Sequence, residues 1–399
     1  MLKPKNKICI ISHTHLCRNP RALKEALTLA QAGYNVHVLN AVYDSNLLEE
    51  DKSLIKNHQI GLQHASDLSI KNTSSFSDRL IKKIADFLVK FLGVETKYAL
   101  GYAPDRYYKK AEKLNADLYI CHQELPVYIG LKLSENGFKV AFDLEDWHSE
   151  DLNPSARKTK AIRLLKKAEK FALRKGIYCS TTSNVLAKKL SESYKSKIPA
   201  VIYNVFDIAL PALNQTRNSI LKLVWFSQYI GEGRGIEEFI EILHRVETPL
   251  ELNLIGNIEH TFKAFLIKQM PKQHQIVFHN IIQNQQLDVA LQQFDIGLAI
   301  ELCEPASRAY TITNKFFQYI QNGLPVIATN TIGQKEIFEV NQPGILINFN
   351  SSDYKKLNIF LGSVKKLTDA REMALNMASK YNWKIESLKL IKLVNNALQ

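Results

Sequence analysis

The chain has 399 residues, a net charge of +13 and 46% apolar residues, with few prolines and glycines. That length exceeds what one core usually holds, so two domains are expected, and the composition excludes disorder and collagen-like repeats. The charge points to anionic partners (a nucleotide, nucleic acid or an acidic membrane surface), although a merely lysine-rich soluble protein would carry it too.

Two successive arrays of alternating strands and helices are predicted along the chain. The first opens with an apolar strand over 7–12 (KICIIS). A helix over 19–32 follows, with Ala22, Leu23, Ala26, Leu27 and Ala30 on one face and Gly33 at its end. His13, just after the strand, and Arg18 and Arg21, near the helix start, are candidates to meet an acceptor; Lys24 lies beside them. A strand is predicted over 36–39, and 44–75 is read as polar and irregular. The segment 77–93 (SDRLIKKIADFLVKFLG) is an amphipathic helix with Leu80, Ile81, Ile84, Phe87, Leu88 and Phe91 on one side. Further strands are predicted over 117–121, 138–143, 177–180 and 199–202, with helices over 104–115, 125–136, 156–175 and 183–194. Both 77–93 and the cation-dense 157–175 fit an anionic lipid interface, but ordinary surface helices packed on their sheet account for them more simply.

His122 and the run Asp143-Leu144-Glu145-Asp146-Trp147-His148 end strands of this array. Carboxylates at a strand end beside a cleft suit acid/base chemistry or hydroxyl binding, so Glu145, Asp146 and His122 are the candidate catalytic groups. Helix capping is the competing reading. The spacing with Glu150 and Asp151 fits no standard metal-ligand pattern, so no metal is expected.

Residues 204–218 read as a linker. The second array begins with a strand over 221–227 and a helix over 235–246, then strands over 250–255, 276–279, 295–300, 325–328 and 344–347. Gly231-Glu232-Gly233-Arg234-Gly235 follows its first strand. Glycines let backbone approach a phosphate, a helix N-terminus favours the anion, and Arg234 adds a bidentate contact. A plain tight turn accounts for the same residues. The run lacks the spacing of a Walker loop or a dinucleotide fingerprint. Glu301 to Ala309 follows the strand over 295–300; there Glu301 suits sugar hydroxyls and Arg308 suits phosphate, unless the loop is merely solvated. Asn314 and Lys315 open an amphipathic helical turn through Phe316, Phe317, Tyr319 and Ile320, which stops at Asn322-Gly323 and feeds an apolar strand. This pattern reads as half of a nucleotide-diphosphate site, with cations in place of a divalent ion. The last segment, 381–399, is one amphipathic helix.

The five cysteines (Cys9, Cys17, Cys121, Cys179 and Cys303) are scattered, odd in number and never spaced C-x-x-C. This suggests a reduced, cytoplasmic setting with neither disulfides nor zinc. MLKPKNKICIISH has no secretory apolar region, and no segment approaches the roughly 20 apolar residues a bilayer span needs. The expected location is cytoplasmic, or peripheral on the inner face of the cell membrane. Nucleic acid is not an expected partner, because no stacking aromatics accompany the basic runs.

Strand–helix alternation on this scale implies an α/β chain of two Rossmann-like, doubly wound parallel sheets facing a cleft. The chain resembles the GT-B retaining glycosyltransferases of family 4 over nearly its whole length. The resemblance rests on ISHTHLCRNPRALKEALTLAQAGYNVHVL, ADLYICHQE, VAFDLEDWHSEDL and VIYNVFD, and most closely on LVWFSQYIGEGRGIEEFIEIL and NKFFQYIQNGLPVIATNTIGQKEIFE. It implies an acceptor-binding domain over 1–204, a nucleotide-sugar domain over 205–380, and a terminal helix over 381–399 returning to the first. It also implies that Arg234 holds donor phosphate and that Gln318 sits at the ribose or sugar. With Gly231, Gly233, Glu301, Arg308, Asn314 and Lys315, these make up the expected donor site. The partners implied are a nucleotide-sugar, used as substrate with no further cofactor, and a cell-surface glycan or lipid-linked acceptor. The family often has two glutamates eight residues apart, where this chain has Tyr310 and Gln318, and a histidine where this chain has Glu145. A nucleotide-sugar isomerase or hydrolase, or a non-catalytic partner of the same fold, would share the donor chemistry.

Overall fold

The computed structural model describes residues 6–207, 220–350 and 352–399, with the side chains of Asn284 and Gln285 outside the description. Most of the expected linker therefore lies outside the described residues. The chain divides into two compact units, residues 1–202 with 387–399, and residues 203–386.

In the first unit the elements run β1 (Lys7–Ile11), α1 (Pro20–Gln31), β2 (Asn35–Val42), α2 (Ser45–Ile55), β3 (Ile60–Asp67), α3 (Thr73–Phe87), α4 (Pro104–Leu114), β4 (Leu118–His122), α5 (Glu124–Glu135), β5 (Val140–Leu144), α6 (Pro154–Arg157), α7 (Ile162–Lys175), β6 (Cys179–Thr181), α8 (Asn184–Tyr194) and β7 (Ala200–Val201). The strands form one sheet in the order β3-β2-β1-β4-β5-β6-β7, and every pairing is parallel. Helices cover both faces of such a sheet, so its central strands are buried and read as unbroken apolar runs: Ile8 to Ile11 and Leu118 to Cys121 are inaccessible.

The second unit runs β8 (Leu221–Ile230), α9 (Ile236–Leu243), β9 (Leu250–Ile258), α10 (His260–Gln269), β10 (Gln275–His279), α11 (Asn284–Leu291), β11 (Ile296–Ala299), α12 (Asn314–Gln321), β12 (Val326–Thr329), α13 (Ile332–Phe338), β13 (Gly344–Ile347), α14 (Asp353–Leu361) and α15 (Val364–Lys380). Its sheet has the order β10-β9-β8-β11-β12-β13, again parallel. Trp225, Phe239, Leu254, Leu298 and Ile327 anchor its core. Helix α16 (Trp383–Leu398) belongs to the second unit in its first turn and to the first unit thereafter.

Three expectations need correction. The segment 44–75 is not irregular: it holds α2 and the edge strand β3. The expected helix over 156–175 is broken into α6 and α7, because the Glu95 carboxylate accepts from the N–H groups of Arg163 and Leu164 and caps α7 at a fresh start. The turn after Thr313 is not amphipathic: α12 is buried from Lys315 to Gln321 on every side.

The packing of α12 depends on one glycine. A Cβ built on Gly297 of β11 would lie 2.1–2.5 Å from the Tyr319 ring, whose hydroxyl donates to the Val224 carbonyl at 3.0 Å. Gly297→Ala is expected to cost at least about 1–3 kcal/mol as α12 is pushed off the sheet. Urea unfolding of the second unit checks this, and a loss below about 0.5 kcal/mol would show that the ring has room to move.

Candidate functional sites

In the second sheet the chain leaves β8 toward β9 and β10, then returns across it to β11. That reversal makes the carboxyl ends of β8 and β11 the switch point, where sheets of this kind bind ligands. Four of the expected donor residues converge there. An Arg234 Nη atom donates to Glu301 Oε1 at 2.8 Å, Lys315 Nζ lies 3.5 Å from the same oxygen, and Arg308 Nη1 lies 3.9 Å from Glu301 Oε2. Each comes from a different element. Arg234 is on the loop before α9, Glu301 follows β11, Arg308 is on a 3-10 turn over Ala306–Ala309, and Lys315 is in the first turn of α12.

The loop is held open for them. Gly233 and Gly235 take positive φ (71° and 84°), a region glycine enters freely, and Arg308 Nη1 donates to the Gly233 carbonyl at 3.1 Å. Gly231 stands at the head of this loop, partly exposed. The Thr313 hydroxyl caps α12 by accepting from the Phe316 N–H at 3.3 Å, and Asn314 beside it is exposed.

The sequence reading passed over Trp225. Its ring lies beneath two of the cations, 5.1 Å from Lys315 Nζ and 5.9 Å from the Arg234 guanidinium. Its only sequence signal was a large aromatic near the carboxyl end of a strand. Burial alone would raise the Glu301 carboxyl, yet Lys315 and Arg234, then Arg308, hold it below its ordinary range. Burial drives Lys315 down to about 8 against the pull of Glu301. Three cations around one carboxylate leave a surplus of positive charge, Arg234 and Arg308 keep more than a quarter of their side-chain surface exposed, and both Arg234 Nε and Glu301 Oε2 lack a hydrogen-bond partner. Such a set can attract an anionic group.

Gln318, one turn further along α12, is buried and makes none of these contacts to Glu301. Its Nε2 donates to Asp288 on α11 at 2.9 Å, where Asn322 Nδ2 also donates at 2.8 Å. The amide ties α12 to α11.

In the first sheet the switch point lies between β1 and β4. His13 is there, its N–H donating to Gln123 Oε1 at 2.9 Å; Gln123 itself sits at a positive φ of 67°, a strained setting of the kind found near ligand sites. Burial pushes His13 down to about 4, so its ring is neutral at pH 7. Glu145 and Asp146 follow β5 and are partly exposed. Burial and the adjacent Asp146 raise Glu145 to about 7, the range a general acid or base uses near neutrality.

Two other expectations for this unit fail. Arg21 is fully buried, donating through two nitrogens to Asp143 at 2.9 and 2.6 Å and through Nη1 to the Ile202 carbonyl at 2.8 Å. A guanidinium so occupied meets no acceptor. His122 is 1% exposed, with Nε2 3.1 Å from Glu25 Oε2 and Nδ1 4.0 Å from Asp143. Both residues belong to an interior ion network with Glu25 and Asp143. Arg18 is exposed at the end of a 3-10 turn over Leu16–Arg18.

Glu25, His122 and Asp143 lie close enough to share a cation, as do His15, Cys17 and Asp51. In the first trio Arg21 and Ser180 already occupy Asp143, and a guanidinium beside the position repels a metal. In the second, Asp51 accepts from His15 Nδ1 and from the Cys17 N–H, both at 2.8 Å. In each trio part of the ligating capacity is thus already engaged, although Glu25 Oε1 and His122 Nδ1 of the first have no hydrogen-bond partner.

No protein-family model matches the chain, and no curated protein matches it in sequence. Among solved structures it is similar to sucrose-phosphate synthase from Thermosynechococcus elongatus, with TM-score 0.69 and 14% identity, covering 98% of each chain. It is similar to Anabaena HepE in complex with UDP and glucose, with TM-score 0.64 and 15% identity, covering 98% of this chain and 99% of that one. A TarM variant from S. aureus in complex with fondaparinux, alpha-GlcNAc-glycerol and UDP gives TM-score 0.67 and 10% identity, covering 99% and 100%. At these identities the likeness is one of fold: two parallel-sheet α/β units of the GT-B kind.

Proposed function

We propose that this chain is a glycosyltransferase that takes its sugar from a nucleotide-activated donor, with retention and without a divalent ion, for a cell-surface glycan or its lipid-linked precursor. The observation that carries this reading is the convergence of Arg234, Arg308 and Lys315 on Glu301 at the switch point of the second sheet. Transfer leaves a nucleoside diphosphate, whose leaving-group charge needs stabilising; fixed cations at a helix N-terminus supply that without reorganising. Glu301 holds the cations in place. For the acceptor, the first unit offers Glu145, whose raised pKa suits taking a hydroxyl proton near pH 7. Anabaena HepE was solved with UDP and with UDP-glucose, which makes UDP the first probe to use here.

Arg234→Ala is expected to weaken UDP binding by about 10- to 100-fold, the worth of one charge-assisted hydrogen-bond pair. Isothermal calorimetry reads this directly, and an unchanged affinity would remove Arg234 from the site. A second reading, a non-catalytic binding partner, is favoured by one observation: Gln318 replaces a carboxylate and is tied to Asp288. That reading expects UDP binding with no turnover under any donor and acceptor pair, whereas an isomerase or hydrolase would turn over donor with no acceptor present.

A further inference from the structure

A helix at a protein surface normally turns its apolar face inward. Helix α3 does the reverse. Its inward face carries Ser75, Asp78 and Ala85, with Asp78 accepting from Ser66 Oγ at 2.5 Å and pairing with Arg106. Lys82 and Asp86 pair beside them at 2.6 Å. Its outward face carries Phe76, Leu80, Ile84 and Phe87, exposed by 66, 46, 50 and 54%. The stripe continues through a π-helical turn over Leu88–Leu92 into Phe91 and Leu92, exposed by 61 and 64%, and stops at Gly93 in left-handed conformation. The Phe87 and Phe91 rings lie 4.7 Å apart, forming one continuous apolar ridge.

Cations border the ridge. Lys83 and Lys90 are exposed along one edge, with Lys90 Nζ 5.0 Å from the centre of the Phe91 ring. By contrast α7, the other segment with a lipid-like pattern, has no free apolar face: Leu165, Ala168, Ala172 and Leu173 are buried and Lys166 pairs with Glu150 at 2.7 Å.

We propose that α3 with its π-helical turn is a membrane-docking element that lays Phe76, Leu80, Ile84, Phe87, Phe91 and Leu92 into the interface of an anionic bilayer. Rings and branched aliphatics enter the acyl boundary while Lys83 and Lys90 meet anionic headgroups. A second copy of this chain is a poorer occupant, because it would set the Lys83 and Lys90 border of one ridge beside that of the other. The proposal stands apart from glycosyl transfer and survives if that reading fails.

The test is co-sedimentation of the full chain with phosphatidylcholine vesicles, with and without phosphatidylglycerol. The wild type is expected to bind the phosphatidylglycerol vesicles and to release as salt rises. The triple variant Leu80→Ser, Phe87→Ser, Phe91→Ser is expected to lose about a hundredfold in partitioning, since each residue withdraws apolar area from the interface. UDP affinity, read on the same samples, is expected to stay at the wild-type value. Lys83→Glu with Lys90→Glu is expected to abolish the preference for phosphatidylglycerol. Hydrogen exchange on the wild type alone gives a second readout: vesicles are expected to protect residues 76–92. Equal sedimentation of wild type and triple variant, or no protection there, overturns the proposal. So does a wild-type dimer in vesicle-free buffer that the triple variant dissolves, which would assign the ridge to a second copy.

Discussion

Asp143→Ala is expected to cost the first unit about 3–5 kcal/mol, the largest stability effect of any single change in that sheet. The carboxylate and Arg21 are both inaccessible and joined by two hydrogen bonds, and Ser180 Oγ donates to the same carboxylate at 2.7 Å. Removing one partner leaves a guanidinium in the interior with only Glu25, 3.8 Å away, and one carbonyl. Replacing both members by apolar residues, Arg21→Met with Asp143→Leu, is expected to cost much less, because no charge is then stranded. The effect also depends on pH. Burial would raise the Asp143 carboxyl, but Arg21 and then His122 depress it below its ordinary range. Its contribution is therefore present above the unfolded value of about 3.9 and is lost as pH falls through the depressed folded value. Hydrogen exchange of the β1, β4 and β5 amides measures this unit without interference from the other. A loss under about 1 kcal/mol for Asp143→Ala would show that water reaches the network.

Lys315→Met is expected to separate stability from binding. Lys315 is 6% exposed and burial lowers its pKa from the ordinary value, so an apolar replacement of similar length is expected to leave the second unit as stable as before, or more so. Glu301 keeps Arg234 and Arg308 as partners. UDP affinity is nevertheless expected to fall about 10- to 100-fold. In the wild type, affinity is expected to weaken as pH rises through about 8, where the free lysine loses its proton, and Lys315→Arg is expected to remove that limb. The stability sign is opposite: a folded pKa below the unfolded 10.5 means stability rises with pH between the two values. Calorimetry across pH 6–9 tests the pair of statements (~3 pH units, wide enough to bracket the shifted value). A flat profile with unaltered affinity in Lys315→Met would take the lysine out of the site.

What the sequence shows plainly is what local pattern encodes. The central strands of both sheets are apolar runs because both of their faces are covered, and such runs stand out. The edge strand β3 did not, because IGLQHASD is half-exposed and lacks alternation. Helix α2 hides for another reason: Asp51, mid-helix, is buried and serves His15 and Cys17, contacts that no window of sequence contains. The break before α7 is caused by Glu95, some seventy residues away. The same distinction divides the site residues. Arg234, Arg308 and Lys315 sit in short motifs at strand ends and helix starts, so the topology alone brings them together. Arg21 and His122 carry the same chemical signature, yet their partners Asp143 and Glu25 lie about a hundred positions distant. Nothing local distinguishes a cation awaiting a ligand from one already satisfied in the interior.

Helix α16 has a consequence for synthesis. Its later turns complete the first unit: Leu390, Val394 and Ala397 are buried, Lys139 Nζ donates to the Ala397 carbonyl at 3.1 Å, and the Tyr34 hydroxyl bonds Asn395. On the ribosome, residues 203–386 must be made before that strip appears, which at roughly 5–20 residues per second takes about 10–40 s. For that interval the nascent amino-terminal half waits with a hydrophobic seam uncovered, until residues 387–399 emerge to seal it.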